Sequence, residues 1–242
     1  MIVKNFLEKN AVDELERAIN RYILKILPTV PKVHVVYESG GSGPLKQFSR
    51  MGLYDDYFKK ILIKPATLKL LEARLGEPAE PLTTEVFYKP ALVGSPALYH
   101  QENAYFNYLP PYGLVLWIAL DKTTLKNGAV HFAKGSHRLG KISHIRTGLP
   151  LFNKALPKPP DPSNHPEVPA LLERGDASIH HFLTVHRSGL KPSLTVVVSF
   201  STIGLEVPRS IKEMQKLMKN IKKGFIVNLG LYKLLGFWLV VE

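Results

Sequence analysis

The period of the apolar positions changes once along the chain. Over residues 10–26, Val12, Leu15, Ile19, Tyr22, Ile23 and Ile26 recur at three- and four-residue steps, with Glu14, Arg17 and Arg21 opposite them. That spacing predicts an amphipathic helix capped by Asn10 and ended by Pro28 and Pro31. Residues 38–48 are glycine-rich and read as a loop. Pro65 opens a second predicted helix through Leu68, Leu70, Leu71 and Leu75, with Gly76 as its C-terminal cap.

From residue 82 the period shortens. Short apolar or alternating runs follow one another: Glu85–Tyr88, Gly113–Leu120, Ala129–Phe132, Ala177–Val185 and Leu194–Ser201. Turn residues separate them, among them Gly94-Ser95-Pro96, Asn127-Gly128 and Gly135-Ser136. Many short strands with turn signals between them predict a sandwich or barrel. Residues 147–169 are rich in proline and read as a long surface excursion. Ser210-Ile211-Lys212-Glu213 has capping-box spacing and starts a further predicted helix, with Ile211, Met214, Leu217 and Ile221 on one face. The expected plan is a single domain: a mostly helical part over 1–80, a strand core over 81–203 and an atypical extension over 204–242.

Composition narrows the function classes. A chain of 242 residues can bury a core without disulfide staples. The absence of cysteine excludes a disulfide framework, a zinc ribbon, a Cys-ligated iron–sulfur cluster and a thiol nucleophile. The net charge of +12 favours anionic partners. Charge alone supports nucleic-acid binding, and no aromatic-plus-basic stacking motif accompanies it, so no nucleic acid is expected. Residues 224–241 approach the length of a membrane span, but Asn228, Lys233 and three glycines interrupt them. A buried helix or strand pair is the expectation there, with no membrane partner. Met1–Asn5 has neither the apolar run nor the cleavage site of a signal peptide, so a cytoplasmic location is expected.

The stretch richest in chemistry is Tyr99-His100-Gln101-Glu102-Asn103. In a strand, residues two apart share a face, so His100 and Glu102 would project together. An imidazole and a carboxylate, with one more imidazole from elsewhere, make the 2-His-1-carboxylate set that leaves one face of an Fe(II) ion open. His186 is the best candidate for the second imidazole, at the end of an apolar run just before Arg187-Ser188-Gly189. His180 and His181 compete with it. His180 shares the face of His186 by alternation but lies deeper in the strand. Ser188 would face the same way as His186 and reach a ligand carboxylate.

These pieces, in order, resemble the phytanoyl-CoA dioxygenase-like family of Fe(II)/2-oxoglutarate oxygenases. The matching residues are Phe87-Tyr88-Lys89-Pro90, Gly94-Ser95-Pro96, His100-Gln101-Glu102-Asn103-Ala104-Tyr105, Leu116-Trp117-Ile118-Ala119-Leu120-Asp121, Asn127-Gly128-Ala129-Val130, Gly135-Ser136-His137, Gly175-Asp176 and His186-Arg187-Ser188-Gly189. The resemblance implies a mainly β fold with flanking helices, a double-stranded β-helix (a jelly roll, cupin-like). It implies that His100, Glu102 and His186 hold Fe(II), and that Trp117 and Ser188 line the 2-oxoglutarate pocket. The implied reaction is hydroxylation of an unactivated C–H bond of a small molecule, with O2 and 2-oxoglutarate as co-substrates. The family usually carries Asp where this chain has Glu102. Relatives that halogenate carry a small residue there, so Glu102 argues against halogenation.

One departure concerns the co-substrate. The resemblance leads one to expect an arginine on the strand after the second His, clamping the distal carboxylate of 2-oxoglutarate. No arginine lies between 188 and 208, and Arg187, adjacent to His186, should point away. Lys89 or Lys191 is the expected substitute as a point charge. The alternative is a catalytically impaired member, a pseudoenzyme that binds metal or ligand without 2-oxoglutarate. Residues 122–160 contain eight Lys or Arg and no Asp or Glu. Two readings stand for that stretch: an anionic substrate, or a solvated basic loop.

Overall fold

In the computed structural model the described residues are 1–189, except 42, 77, 91 and 150, together with the backbone of 197–206. They fall within one compact unit, Met1–Glu206. The predicted helix after Ser210, the apolar run 224–241 and Lys191 lie outside the described residues. No helix among the described residues is long and apolar enough to cross a membrane.

In chain order the elements are β1 (Ile2–Val3), α1 (Lys9–Lys25), β2 (Val35–Tyr37), β3 (Leu45–Phe48), α2 (Asp56–Leu62), α3 (Pro65–Leu75), β4 (Ala79–Lys89), β5 (Ala97–His100), α4 (Asn103–Phe106) and β6 (Gly113–Ala119). Then follow β7 (Val130–Ala133), β8 (Ile145–Arg146), β9 (Lys154–Ala155), β10 (Glu167–Pro169), β11 (Ala177–His181), β12 (His186–Ser188) and β13 (Val197–Glu206). A seven-stranded sheet has the order β1-β11-β6-β13-β4-β3-β2, and a four-stranded sheet the order β10-β7-β12-β5. Their pairings are antiparallel. The predicted jelly roll is the observed architecture.

Strand alternation gives the large sheet two different faces. Val86 of β4, Leu114, Leu116 and Ile118 of β6, and Ala177 and Ile179 of β11 are buried against the helices. α1 contributes Val12, Leu15, Ala18, Ile19 and Tyr22 to that core. Tyr22 stacks on Phe48 at 5.4 Å and meets Phe58 edge-on at 5.5 Å, geometries that suit aromatic quadrupoles. The intervening residues of the same strands, Glu85, Phe87, Lys89, Val115, Trp117 and His180, line a cavity between the two sheets.

Several expectations are corrected. The first helix starts at Lys9 with Glu8 in the cap position, so Asn10 is not the cap. The Leu7 amide donates to the Gly175 carbonyl at 2.9 Å, so the adjoining turn fixes where the helix begins. Helix α2 escaped periodicity analysis because it has seven residues; Asp55 caps it by accepting the Tyr57 amide at 2.8 Å. The loop expected over 38–48 contains β3. Its apolar rhythm is masked by two buried polar residues, Lys46 and Gln47, which pair with Glu38 and Glu85. The excursion over 147–169 rejoins the barrel at β10, which pairs with β7.

The run Ala177–Val185 is not one strand. β11 ends at His181, the chain turns, and His186 opens β12 in the other sheet. In that turn the Leu183 amide donates to His181 Nδ1 at 3.1 Å and the Thr184 amide to the His181 carbonyl at 2.8 Å. His180 and His186 therefore do not share a strand face. They meet because the two sheets converge there.

Candidate metal centre

His100 is the last residue of β5, and His186, the first of β12, lies directly opposite it in the antiparallel register. Glu102 does not follow by strand alternation. Its backbone is helical (φ −57°, ψ −37°), because the chain leaves β5 after His100 and turns into α4. Gln101 holds that turn. It is fully buried, its Nε2 donates to the carbonyls of Gly140 and Leu183, and its Oε1 accepts the Ile142 amide. Its own amide donates to His144 Nε2 at 3.0 Å, so His144 is a structural partner of the turn rather than a ligand. Asn103 then exchanges two hydrogen bonds with the backbone of Tyr108.

The result is a cluster in which one ligand atom each from His100, Glu102 and His186 lies within 4.8 Å of the others. The two rings are 4.2 Å apart between centroids. Each His donates through Nδ1 to a backbone carbonyl: His100 to Leu98 at 2.6 Å, His186 to Thr184 at 2.9 Å. A carbonyl can only accept, so both rings, when neutral, carry their proton on Nδ1 and turn the Nε2 lone pair inward. Glu102 Oε1 lies 3.1 Å from His186 Nε2 and 3.8 Å from His100 Nε2. His100 Nε2 is buried with no hydrogen-bond partner among the described residues.

Three lone-pair donors thus face one another, with the protons that would separate them used elsewhere. A divalent cation fits that arrangement, and the Nδ1–carbonyl bonds are the outer support that metal-ligating imidazoles use. Burial, and then the neighbouring His186, hold the His100 imidazole below its usual range, favouring the neutral form a metal needs. Burial pushes the Glu102 carboxyl up, and either imidazole, whenever it carries a proton on Nε2, pulls it well below the usual carboxylate range.

The triad opens into a cavity of about 110 Å³. At roughly 10–15 Å³ of such space per water, it has room for a small chelating acid. Trp117 of β6 lies in its wall and also packs against two small buried clusters, Val115 with Phe182 and Ala119 with Ala170 and Leu172, so it belongs to both core and cavity. Lys89 of β4 reaches across to β12, where its ammonium donates to Ser188 Oγ at 2.9 Å and to the Gly189 carbonyl. Two glycines make way for it. A Cβ at Gly128 would sit 3.0–3.1 Å from the end of the Lys89 chain, and one at Gly94 would sit 2.7 Å from its Cγ. Gly128 is also left-handed (φ +84°). Arg187 points away from the triad, as expected, and forks onto Glu167 at 2.7 and 2.6 Å.

The basic stretch 122–160 contributes Gly128, Val130, Phe132 and Phe152 to the cavity wall, and none of its Lys or Arg. Among those cations, Lys122 pairs with Glu173 and Lys154 donates to the Ala104 carbonyl. Sequence reasoning did not single out Phe152, whose ring lies 5.1 Å from that of His100. His180, the competitor of His186 on sequence grounds, stands outside the cluster of ligand atoms. Its ring lies 4.8 Å from His186 and 4.9 Å from Phe132, within the cavity wall. Burial, and then His186, hold His180 well below the usual imidazole range.

Known proteins share this fold and sequence. The solved structure of EvdO2 from Micromonospora carbonacea var. aurantiaca superposes with a TM-score of 0.67 at 20% identity, over 87% of each chain. A probable alpha-ketoglutarate-dependent hypophosphite dioxygenase of Stutzerimonas stutzeri is 29% identical over 163 residues, which is 66% of this chain and 56% of that protein. A phytanoyl-CoA dioxygenase domain-containing protein 1 homolog of Caenorhabditis briggsae is 26% identical over 197 residues, 73% of this chain and 67% of that one. The chain thus spans little more than half the length of the Stutzerimonas stutzeri relative. The expected cofactors, Fe(II) and 2-oxoglutarate, agree with such relatives and with the His–Glu–His site. Residues 1–193 match the phytanoyl-CoA dioxygenase (PhyH) family along most of the chain, and the protein belongs to that family.

Proposed function

We propose that the protein is an Fe(II)/2-oxoglutarate-dependent oxygenase that hydroxylates an unactivated C–H bond of a small substrate. The observation that carries this reading is the convergence of His100 Nε2, His186 Nε2 and Glu102 Oε1 with both imidazole protons held by backbone carbonyls. When bound there, iron with 2-oxoglutarate supplies oxidation by O2, coupled to decarboxylation of the co-substrate to succinate. The chain's own residues bind, orient and exclude water. His100, Glu102 and His186 would hold the metal. Lys89 and Ser188 take the distal carboxylate of 2-oxoglutarate, the ammonium standing in for the arginine missing between 188 and 208. Trp117 and Phe152 wall the cavity against bulk water.

The substrate side of the proposal is a small anion, drawn by the net charge of +12. Substrate affinity that does not change across a salt series would remove that part. The central test is anaerobic. Fe(II) and 2-oxoglutarate are added to metal-free protein and the visible spectrum is recorded. A charge-transfer band requiring both is the expected result, and Lys89→Met should weaken 2-oxoglutarate roughly 10- to 100-fold through loss of a charge-assisted contact. Iron binding with no band would leave the metal site and sink the co-substrate pocket, and the pseudoenzyme reading would then lead.

A further inference from the structure

Buried polar atoms normally find partners, and leaving one dry opposes folding. His180 is 9% exposed and lines the cavity, yet neither Nδ1 nor Nε2 has a hydrogen-bond partner among the described residues. The histidines of the triad differ: His100 and His186 each anchor Nδ1 on a backbone carbonyl. Nor does His180 belong to the cluster of ligand atoms, which comprises His100, Glu102 and His186.

The strand registers place it along the cavity. On β12, His186 lies opposite Phe132 and Ser188 opposite Val130. His180 packs on the rings of the first of these rungs, whereas Lys89 reaches Ser188 on the second. Two residues of strand separate the rungs, about 7 Å. His180 therefore stands beside the metal ligands, and the Lys89 ammonium stands one rung away.

We infer that His180 is a ligand-binding residue whose imidazole hydrogen-bonds an oxygen of the small molecule held beside the metal. This rests on the reading above that the cavity receives such a molecule. In either tautomer the ring offers one N–H and one lone pair, so it serves a carboxylate, an oxyanion or a hydroxyl. Two molecules carry such an oxygen there: 2-oxoglutarate through its chelating end, and the primary substrate. A site that binds an oxygen in this way discriminates strongly against analogues lacking it, because its own polar atoms are then left dry.

The test uses the full chain loaded with Mn(II), and three probes: 2-oxoglutarate, hypophosphite and propane-1,2-diol. Affinities are read by calorimetry and by paramagnetic broadening of the probe signals. His180→Phe fills the corner beside Phe132 without a hydrogen bond, and His180→Gln restores a donor and an acceptor. The expected result is at least a tenfold loss of affinity for one or more probes in His180→Phe, largely restored in His180→Gln, with Mn(II) affinity unchanged. Loss confined to 2-oxoglutarate assigns the contact to the co-substrate; loss confined to the other probes assigns it to the substrate. Wild-type behaviour of His180→Phe toward all three probes overturns the inference, and so does a set in which no probe separates variant from wild type. Failure of the wild type to bind 2-oxoglutarate would sink the co-substrate reading instead, and the other two probes would still report on His180. If His180→Phe does not fold, His180→Leu carries the same comparison.

Discussion

The two faces of the seven-stranded sheet do different work with the same strands. Toward the helices, Val86, Leu116, Ile118 and Ile179 meet Tyr22, Phe48 and Phe58 in a core sealed from water. Toward the smaller sheet, the alternate positions carry Glu85, Lys89, Trp117 and His180 around an open cavity. The first face lowers the free energy of the fold by burying apolar area, at about 25 cal/mol per Å². The second keeps polar atoms away from water and leaves some without partners, which opposes stability and prepares a site. The separation rests on the two-residue period of a strand: a shift by one residue would exchange the faces.

The comparison can be broken from the cavity side first. His100→Ala, Glu102→Ala or His186→Ala should each abolish iron-dependent turnover and reduce iron affinity by more than about 100-fold, since a facial set has no spare ligand. The metal-free variants should be as stable as the wild type or more so, because inward-facing lone pairs are removed. Turnover retained by any one of them, measured as succinate formed, takes that residue out of the triad.

From the helix side, Phe48→Ala should cost about 3–5 kcal/mol in urea unfolding, the usual penalty for deleting a buried aromatic ring. The folded fraction should still bind metal with wild-type affinity. A loss of metal affinity in the folded protein would show that the two faces are coupled.

The smallest effect concerns pH. His181, at the turn between the sheets, is pushed down to about 4, chiefly by burial and then by His137. The unfolded chain takes up that proton near 6.5, so the stability tied to the neutral ring is complete above that pH and drains away as pH falls toward 4. His181→Asn, which keeps an acceptor for the Leu183 amide, should flatten the slope of unfolding free energy against pH in that window. An unchanged slope would assign it to His100 and His180 instead.

Helix α3 and the strands β4, β6, β7 and β11 could be read from the sequence because their signals are local. Pro65 and Gly76 bound one, and alternation with turn residues marks the others. The triad was legible because its residue types and order resemble a family, although the strand geometry first assigned to Glu102 was wrong. A four-residue helix follows His100, and nothing in the short segment distinguishes that turn from a strand. The break after His181 was hidden for the same reason: His180-His181-Phe182-Leu183-Thr184-Val185 is apolar enough to continue as one strand.

By itself the sequence determined the periods, the turns, the exclusion of thiol and disulfide chemistry and the candidates His100, Glu102 and His186. Tertiary structure decided which lone pairs converge, and it decided that Lys89 reaches Ser188 through space opened by Gly94 and Gly128. It also decided that His180 stands in the cavity wall without a partner among the described residues. These facts depend on contacts between strands far apart in sequence, here 84 residues between Glu102 and His186 and 99 between Lys89 and Ser188. Periodicity reports how each segment divides its own faces. Only the closing of the two sheets decides which side chains those faces meet.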